Sequence, residues 1–104
     1  MPLEFRHDEL YVRVDGDVLE LFPRGGFSHR LLLAWLTVSV QPSIRGYLIV
    51  RITSASVDSP LYEVLPKARP VRGATVDHVI KTEEEPLFRQ FFAQVGQLCG
   101  RPLA

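Results

Sequence analysis

The sequence has few of the residues that identify several protein classes. Cys99 is its only cysteine, so the chain can form neither an intrachain disulfide nor a thiolate metal site. Twelve basic residues balance twelve acidic ones, which argues against a nucleic-acid-binding protein and disfavours an anionic membrane surface. Contact with a membrane surface through a local patch stays open.

The chain also lacks a run long enough to cross a bilayer, which takes about twenty apolar residues. Its longest run, "HRLLLAWLTVSVQ" at 29–41, is shorter. The segment "MPLEFRHDEL" shows no basic region followed by an apolar core, so no export signal is expected. With a single cysteine, and ten arginines against two lysines, the composition is typical of a cytoplasmic bacterial protein.

Alternating apolar residues predict a mainly β domain over residues 1–104, with strands within about 3–82. "ELYVRV" at 9–14 and "VLELF" at 18–22 flank "DGD", which suits a tight hairpin turn. Further strands are predicted for "YLIVRIT" at 47–53, "PLYEVL" at 60–65 and "ATVDHVIKT" at 74–82.

The run at 29–41 divides into two patterns. Its second half alternates Leu36, Val38 and Val40 with polar residues, as in a strand with one buried face. Its first half does not alternate, which favours a corner near Ala34 where two short strands meet. Trp35 is expected in the core rather than as an exposed anchor for a partner.

The pattern changes near residue 86 to spacings of three and four, which predict an amphipathic helix over about 85–99. Its apolar stripe is Leu87, Phe88, Phe91, Phe92, Val95, Leu98 and Cys99. The acidic triplet at 83–85 is expected to be a capped helix start rather than a metal or acid–base cluster. Glu84 or Glu85 would be the N-cap, with Pro86 in the first helical position.

No arrangement of residues indicates catalysis or a metal site. His7, His29 and His78 lack the spacing of metal motifs, and no nucleophile motif is present. Asp77 and His78 are adjacent in a predicted strand, so their side chains should point to opposite faces rather than pair. We therefore expect no catalytic residue, no metal and no cofactor.

Basic residues in and beside three predicted loops are the candidates for ligand binding. The candidates are Arg24, His29, Arg30, Arg45, Arg69 and Arg72. If these loops share one rim of the sheet, they form a local basic patch suited to an acidic peptide or a phosphate. The alternative is a solvated rim whose arginines pair with carboxylates.

Two stretches carry a resemblance to a known family. "HRLLLAWLTVSVQPSIRGYLIVRI" and "VIKTEEEPLFRQFFAQVGQL" are similar to small bacterial pleckstrin-homology-like (PH-like) domains. The resemblance implies a barrel or curved antiparallel sheet of about six or seven strands, capped by one C-terminal helix. Lipid-binding PH domains carry basic residues around the first hairpin loop, whereas that loop here is the acidic "DGD".

The resemblance implies a non-catalytic interaction module that binds a protein partner or itself, for example as a homodimer through free strand edges. The alternative is a binder of a phosphate-bearing ligand or lipid headgroup through the loop arginines. A small enzyme is the third hypothesis, which a pocket joining His29 or His78 to a carboxylate would support.

Overall fold

The computed structural model describes residues 3–23, 25–54, 59–69 and 76–103 and is mainly β. The described residues form two four-stranded sheets and one α-helix. The elements are β1 (Glu4–His7), β2 (Leu10–Asp15), β3 (Val18–Pro23), β4 (His29–Leu32), β5 (Leu36–Pro42), β6 (Tyr47–Ser54), β7 (Tyr62–Val64), β8 (Val76–Lys81) and α1 (Glu85–Leu98). Sheet A has the order β1-β2-β3-β4, and sheet B has the order β7-β5-β6-β8.

Sheet A is an antiparallel meander. The hairpin predicted around "DGD" is confirmed, because Asp15 pairs with Val18 and Gly16 adopts the positive φ of 65° that suits such a turn. The alternation that predicted β2 is also confirmed, since its even-numbered residues are buried. β1 was not predicted, because its four residues are too few to show a clear alternation.

The corner predicted near Ala34 is confirmed. Leu33–Trp35 form one turn of 3₁₀ helix between β4 and β5. Successive side chains of a 3₁₀ turn point about 120° apart, so the turn cannot direct all three inward. Leu33 is buried, whereas Trp35 is 49% exposed, so the expectation of a core tryptophan was wrong.

Sheet B differs from the predicted antiparallel arrangement. β6 pairs antiparallel with β5 and β8, but β7 runs parallel to β5. Among the described residues no strand pairing joins sheet A to sheet B, so the sheets are not closed into a barrel. Apolar side chains from both sheets instead form one shared core.

Helix α1 covers this core. Phe88, Phe91 and Phe92 are buried, as the helical stripe predicted. The ring of Phe5 in β1 lies 4.9 Å from that of Phe88 and 5.1 Å from that of Phe91, between centroids. The ring of Tyr62 in β7 stacks on Phe92 at 5.8 Å. The helix therefore packs against an edge strand of each sheet.

The start of α1 follows a 3₁₀ turn over Thr82–Glu84. Glu84 occupies the N-cap position, as one of the two predicted caps, and Pro86 is the second helical residue rather than the first. Cys99 follows the helix and packs against the core, as predicted. No helix in the described ranges is long and apolar enough to span a membrane.

Hydrogen bonds from Arg101 hold the segment after α1 against the β4–β5 corner. Its guanidinium donates to the carbonyl oxygens of Leu33 at 2.7 Å, Leu36 at 2.8 Å and Ser59 at 2.9 Å. Its backbone N–H donates to the Gly96 carbonyl at 2.7 Å. A Cβ at Gly96 would lie 2.4 Å from the Arg101 carbonyl oxygen, so this close approach requires glycine.

Candidate functional site

An open groove separates β8 of sheet B from the turn that joins β1 to β2 in sheet A. This groove, which we call the edge groove, has a volume of about 720 Å³, within the usual range for ligand sites. It is lined by Asp8, Glu9, Leu10, Pro23, Val76, Asp77, His78 and Val79. The described lining residues include carboxylates but no lysine or arginine, so this part of the groove favours a positively charged ligand.

The edge of β8 at Val79, on the side away from β6, faces the edge groove. The Thr82 N–H donates to the Gly46 carbonyl at 3.2 Å, which extends the β6–β8 register by one pair. Hydrogen-bonded and non-bonded pairs alternate in an antiparallel ladder, so His78 and Ile80 bond to β6 while Val79 directs its N–H and C=O away from it. Among the described strands β8 pairs only with β6, so this edge can accept a further strand.

A polar network on the outer face of sheet B fixes β8 against β6. The buried Arg51 donates Nε and Nη2 to the two carboxylate oxygens of Asp77, at 2.9 and 3.2 Å. Its Nη1 donates to the Arg69 carbonyl at 3.2 Å and to the Gln41 side-chain oxygen at 3.4 Å. A bidentate pair of this kind has fixed geometry, so it holds β8 in a defined position beside the edge groove.

On the inner face of β8, His78 meets His7 of β1. Nε2 of His78 lies 2.9 Å from Nδ1 of His7, although the two residues are 71 positions apart. His7 is only 8% exposed, and its ring packs against Phe88 with centroids 5.0 Å apart. Asp77 instead contacts Arg51 on the outer face. The prediction that Asp77 and His78 point to opposite faces is therefore confirmed.

Glu84 determines which nitrogen of His7 carries the proton. Its Oε2 lies 2.6 Å from His7 Nε2, and its Oε1 accepts the Lys81 N–H at 2.8 Å. An ionised carboxylate only accepts, so His7 donates from Nε2; in its neutral form the ring then has its lone pair at Nδ1, where it can accept from His78 Nε2. The Lys81 N–H and His7 lower the pKa of Glu84. Burial and the nearby His7 lower the pKa of His78, which favours its neutral form.

The acidic triplet at 83–85 is more than a capped helix start, so that expectation was incomplete. Glu84 binds His7, as described above. Glu85 is buried, and its carboxylate accepts the Tyr62 hydroxyl at 2.5 Å. It also accepts from Arg89 Nη2 at 2.6 Å and from Arg89 Nε at 3.1 Å. Burial and the Glu85 carboxylate raise the pKa of Tyr62. Glu83 is the exposed member of the triplet.

Asp8 brings a carboxylate to the two histidines. It lies in the β1–β2 turn with φ 51°, a left-handed conformation that aspartate tolerates better than most residues. Its Oδ2 lies 3.6 Å from Nδ1 of His7. One ligand atom each from His7, Asp8 and His78 all lie within 4.8 Å of one another. These three side chains are the described residues best placed to hold a metal ion.

The predicted loop residues occupy separate parts of the fold. His29 and Arg30 are in β4 of sheet A, where Arg30 lies 3.6 Å from Glu20. Arg45 is exposed in the β5–β6 turn of sheet B, and Arg69 follows β7, 3.4 Å from Glu63. Arg24 and Arg72 lie outside the described residues. A single basic patch therefore stays a prediction.

Sequence reasoning missed the contact between His7 and His78. A pairing of residues in β1 and β8 depends on how the two sheets face each other, which no local spacing records. One local signal was present: His78 shares the apolar phase of Val76 and Ile80, which places it on the buried face of β8. A polar residue on a buried face needs a hydrogen-bond partner, and His7 supplies it.

No protein-family model matches the chain, and no curated protein or solved structure matches it either. The PH-like resemblance therefore stays a prediction. Function is inferred from the edge groove and the side chains around it.

Proposed function

We propose that the chain is a non-catalytic interaction module that binds an extended segment of a protein partner as an added strand on β8. The observation that carries this proposal is the edge of β8 at Val79, which lines the edge groove and pairs with no other strand in the described part of the chain. Main-chain hydrogen bonds to an added strand supply affinity, and adjacent side chains supply preference. The class of function is the one that the PH-like resemblance implies.

The lining of the edge groove indicates the chemistry of the partner. Asp8 and Glu9 place carboxylates on the wall opposite β8, and the partly exposed Pro23 adds apolar surface beside them. Successive residues of an extended segment point to opposite sides, so one segment can present lysine or arginine to the carboxylates and apolar residues to the remaining surface. We therefore propose a partner strand that alternates basic and apolar residues.

The other two hypotheses have less support. The edge groove does place His78 near the Asp8 carboxylate, which was the condition for a small enzyme. Among the described residues that line it, none carries a hydroxyl or thiol nucleophile, so binding is favoured over covalent catalysis. The loop-arginine hypothesis is weakened because Arg30 and Arg69 each lie near a carboxylate.

A matched pair of substitutions at Val79 tests the proposal. Proline at 79 removes the outward-facing N–H of Val79, at the middle of the β8 edge, and it leaves the bonds from His78 and Ile80 to β6 intact. Threonine at 79 keeps that N–H and the branched shape of the side chain. Random segments of about ten residues, the upper range of strand lengths, are selected against the parent chain by peptide display, and the enriched peptides are titrated by fluorescence anisotropy.

The enriched peptides should alternate basic and apolar residues and bind more weakly as salt is raised. Val79→Pro should weaken binding by about tenfold or more, while Val79→Thr should leave it within about twofold. The proposal is wrong if no segment is enriched, or if Val79→Pro binds as tightly as the parent. A dimer that Val79→Pro dissociates would instead identify a second copy as the occupant.

A further inference from the structure

The geometry points to a transition-metal site, best suited to Zn²⁺, formed by His7 Nδ1, His78 Nε2 and the Asp8 carboxylate. The site shares Asp8 with the strand-binding proposal but is tested apart from it, because Val79 is not a ligand and the metal can be titrated without a partner.

The spacing of the three donors fits a tetrahedral ion. Zn²⁺ bonds to nitrogen and oxygen at about 2.0–2.2 Å, which places neighbouring ligand atoms about 3.3 Å apart in a tetrahedron. The two histidine nitrogens are 2.9 Å apart, and the Asp8 oxygen is 3.6 Å from His7 Nδ1. These two distances lie on either side of the required value. The third, between His78 Nε2 and the Asp8 carboxylate, is within 4.8 Å, and the exposed Asp8 side chain can turn toward His78 to bring all three donors to the ion.

The orientation of His7 also matches that of a metal ligand. Glu84 accepts from Nε2 at 2.6 Å, so the lone pair of His7 is at Nδ1, the nitrogen nearest to His78 and Asp8. A carboxylate behind a histidine is the usual way in which proteins orient a metal-binding imidazole. The second carboxylate oxygen of Glu84 is held by the Lys81 N–H, so Glu84 is itself fixed.

The hydrogen bond between the histidines has to give way when the ion binds. His78 donates from Nε2 in the metal-free chain, and as a ligand it carries its proton on Nδ1 instead. Metal binding thus puts a cation, bound by His7, His78 and Asp8, in the place of the hydrogen bond between the two histidines.

The type of donor atom indicates which metal binds, and the exposure of the ligands indicates how it enters. Two imidazoles with one carboxylate suit Zn²⁺ and its neighbours in the first transition row, whereas Mg²⁺ and Ca²⁺ prefer oxygen donors throughout. His7 is buried, but Asp8 and His78 line the edge groove. The ion can therefore enter from the groove, where its fourth position is open to water or to a donor from a bound segment.

Cobalt and zinc titrations of the metal-free, untagged full chain test the site. Co²⁺ should give the intense visible absorption of a tetrahedral complex, and one equivalent of Zn²⁺ per chain should displace it. His78→Gln should abolish the absorption. Glu84→Gln should weaken Zn²⁺ binding about ten- to a hundredfold, because the imidazole loses its charged partner.

His29→Gln is the matched control. His29 is in β4, at the opposite edge of sheet A from β1, so this variant should bind both metals as the parent does. Asp8→Asn provides a second test that preserves the turn, because asparagine also tolerates a left-handed φ. It should weaken Zn²⁺ binding and leave the melting temperature of the metal-free chain unchanged.

The inference is overturned if the parent gives no tetrahedral Co²⁺ spectrum. It is also overturned if His78→Gln and Asp8→Asn both bind Zn²⁺ as tightly as the parent, or if His29→Gln loses binding as they do. Retained metal binding in Val79→Pro, together with lost peptide binding, would support both proposals separately. If the parent chain binds the enriched peptides but no metal, only the metal site is refuted; if it binds the metal but no peptide, only the strand-binding proposal is refuted.

Discussion

Arg101→Met is predicted to lower the free energy of unfolding by about 2–4 kcal/mol. The guanidinium donates to three backbone carbonyls that belong to the β4–β5 corner and to Ser59. A hydrogen bond with a charged donor contributes about 1.5–3 kcal/mol, but three bonds from one partly buried group are not additive. Methionine keeps most of the aliphatic stem, so the loss reports chiefly on the hydrogen bonds.

The assay is urea unfolding at neutral pH, followed by circular dichroism and by the fluorescence of Trp35, the only tryptophan. The same change should lower the melting temperature by about 10 °C or more in a domain of this size. Arg30→Met is the control, because that side chain is 67% exposed and lies 3.6 Å from Glu20. It should stay within about 0.5 kcal/mol of the parent. Equal stability of the two variants would refute the role assigned to Arg101.

Two further predictions concern α1 and the histidine pair. Phe91→Ala should cost about 3–5 kcal/mol, because the ring is buried against Phe5 and its loss leaves a cavity; a melting temperature within a degree or two of the parent would contradict this. Stability should fall as pH drops below 6.5, the ordinary pKa of histidine, because the unfolded chain takes up a proton that folded His78 resists. A further loss should follow below 4.5, where unfolded carboxyls bind protons while folded Glu84, with its lowered pKa, stays ionised. Urea unfolding at a series of pH values should show the first decline in the parent and a smaller one in His78→Gln; an identical decline in both would exclude His78 as its source.

Local patterns predicted much of the fold. The "DGD" hairpin, the corner near Ala34 and the helix with its buried phenylalanines each depend on residues within a few positions of one another. Their physical causes are turn geometry and the burial of one face, and both are recorded in short stretches of sequence. These elements could therefore be recognised before the structure.

Features that depend on distant contacts were not predicted. The parallel pairing of β7 with β5 requires a connection whose path has no local signature. Trp35 was misplaced because the direction of a side chain in a 3₁₀ turn differs from that in a strand. The histidine pair joins β1 to β8, so it became visible only when the sheets were placed together. The loop-arginine patch was a composition argument and remains a prediction.

Amide hydrogen exchange at Val79 tests the central claim most directly, that the edge of β8 is open and binds a strand. In the free chain the Val79 amide should exchange far faster than those of His78 and Ile80, which bond to β6. Adding an enriched peptide should slow exchange at Val79 and leave its two neighbours little changed. A Val79 amide that is already as protected as Ile80 in the free chain, or unaffected by the peptide, would contradict the account.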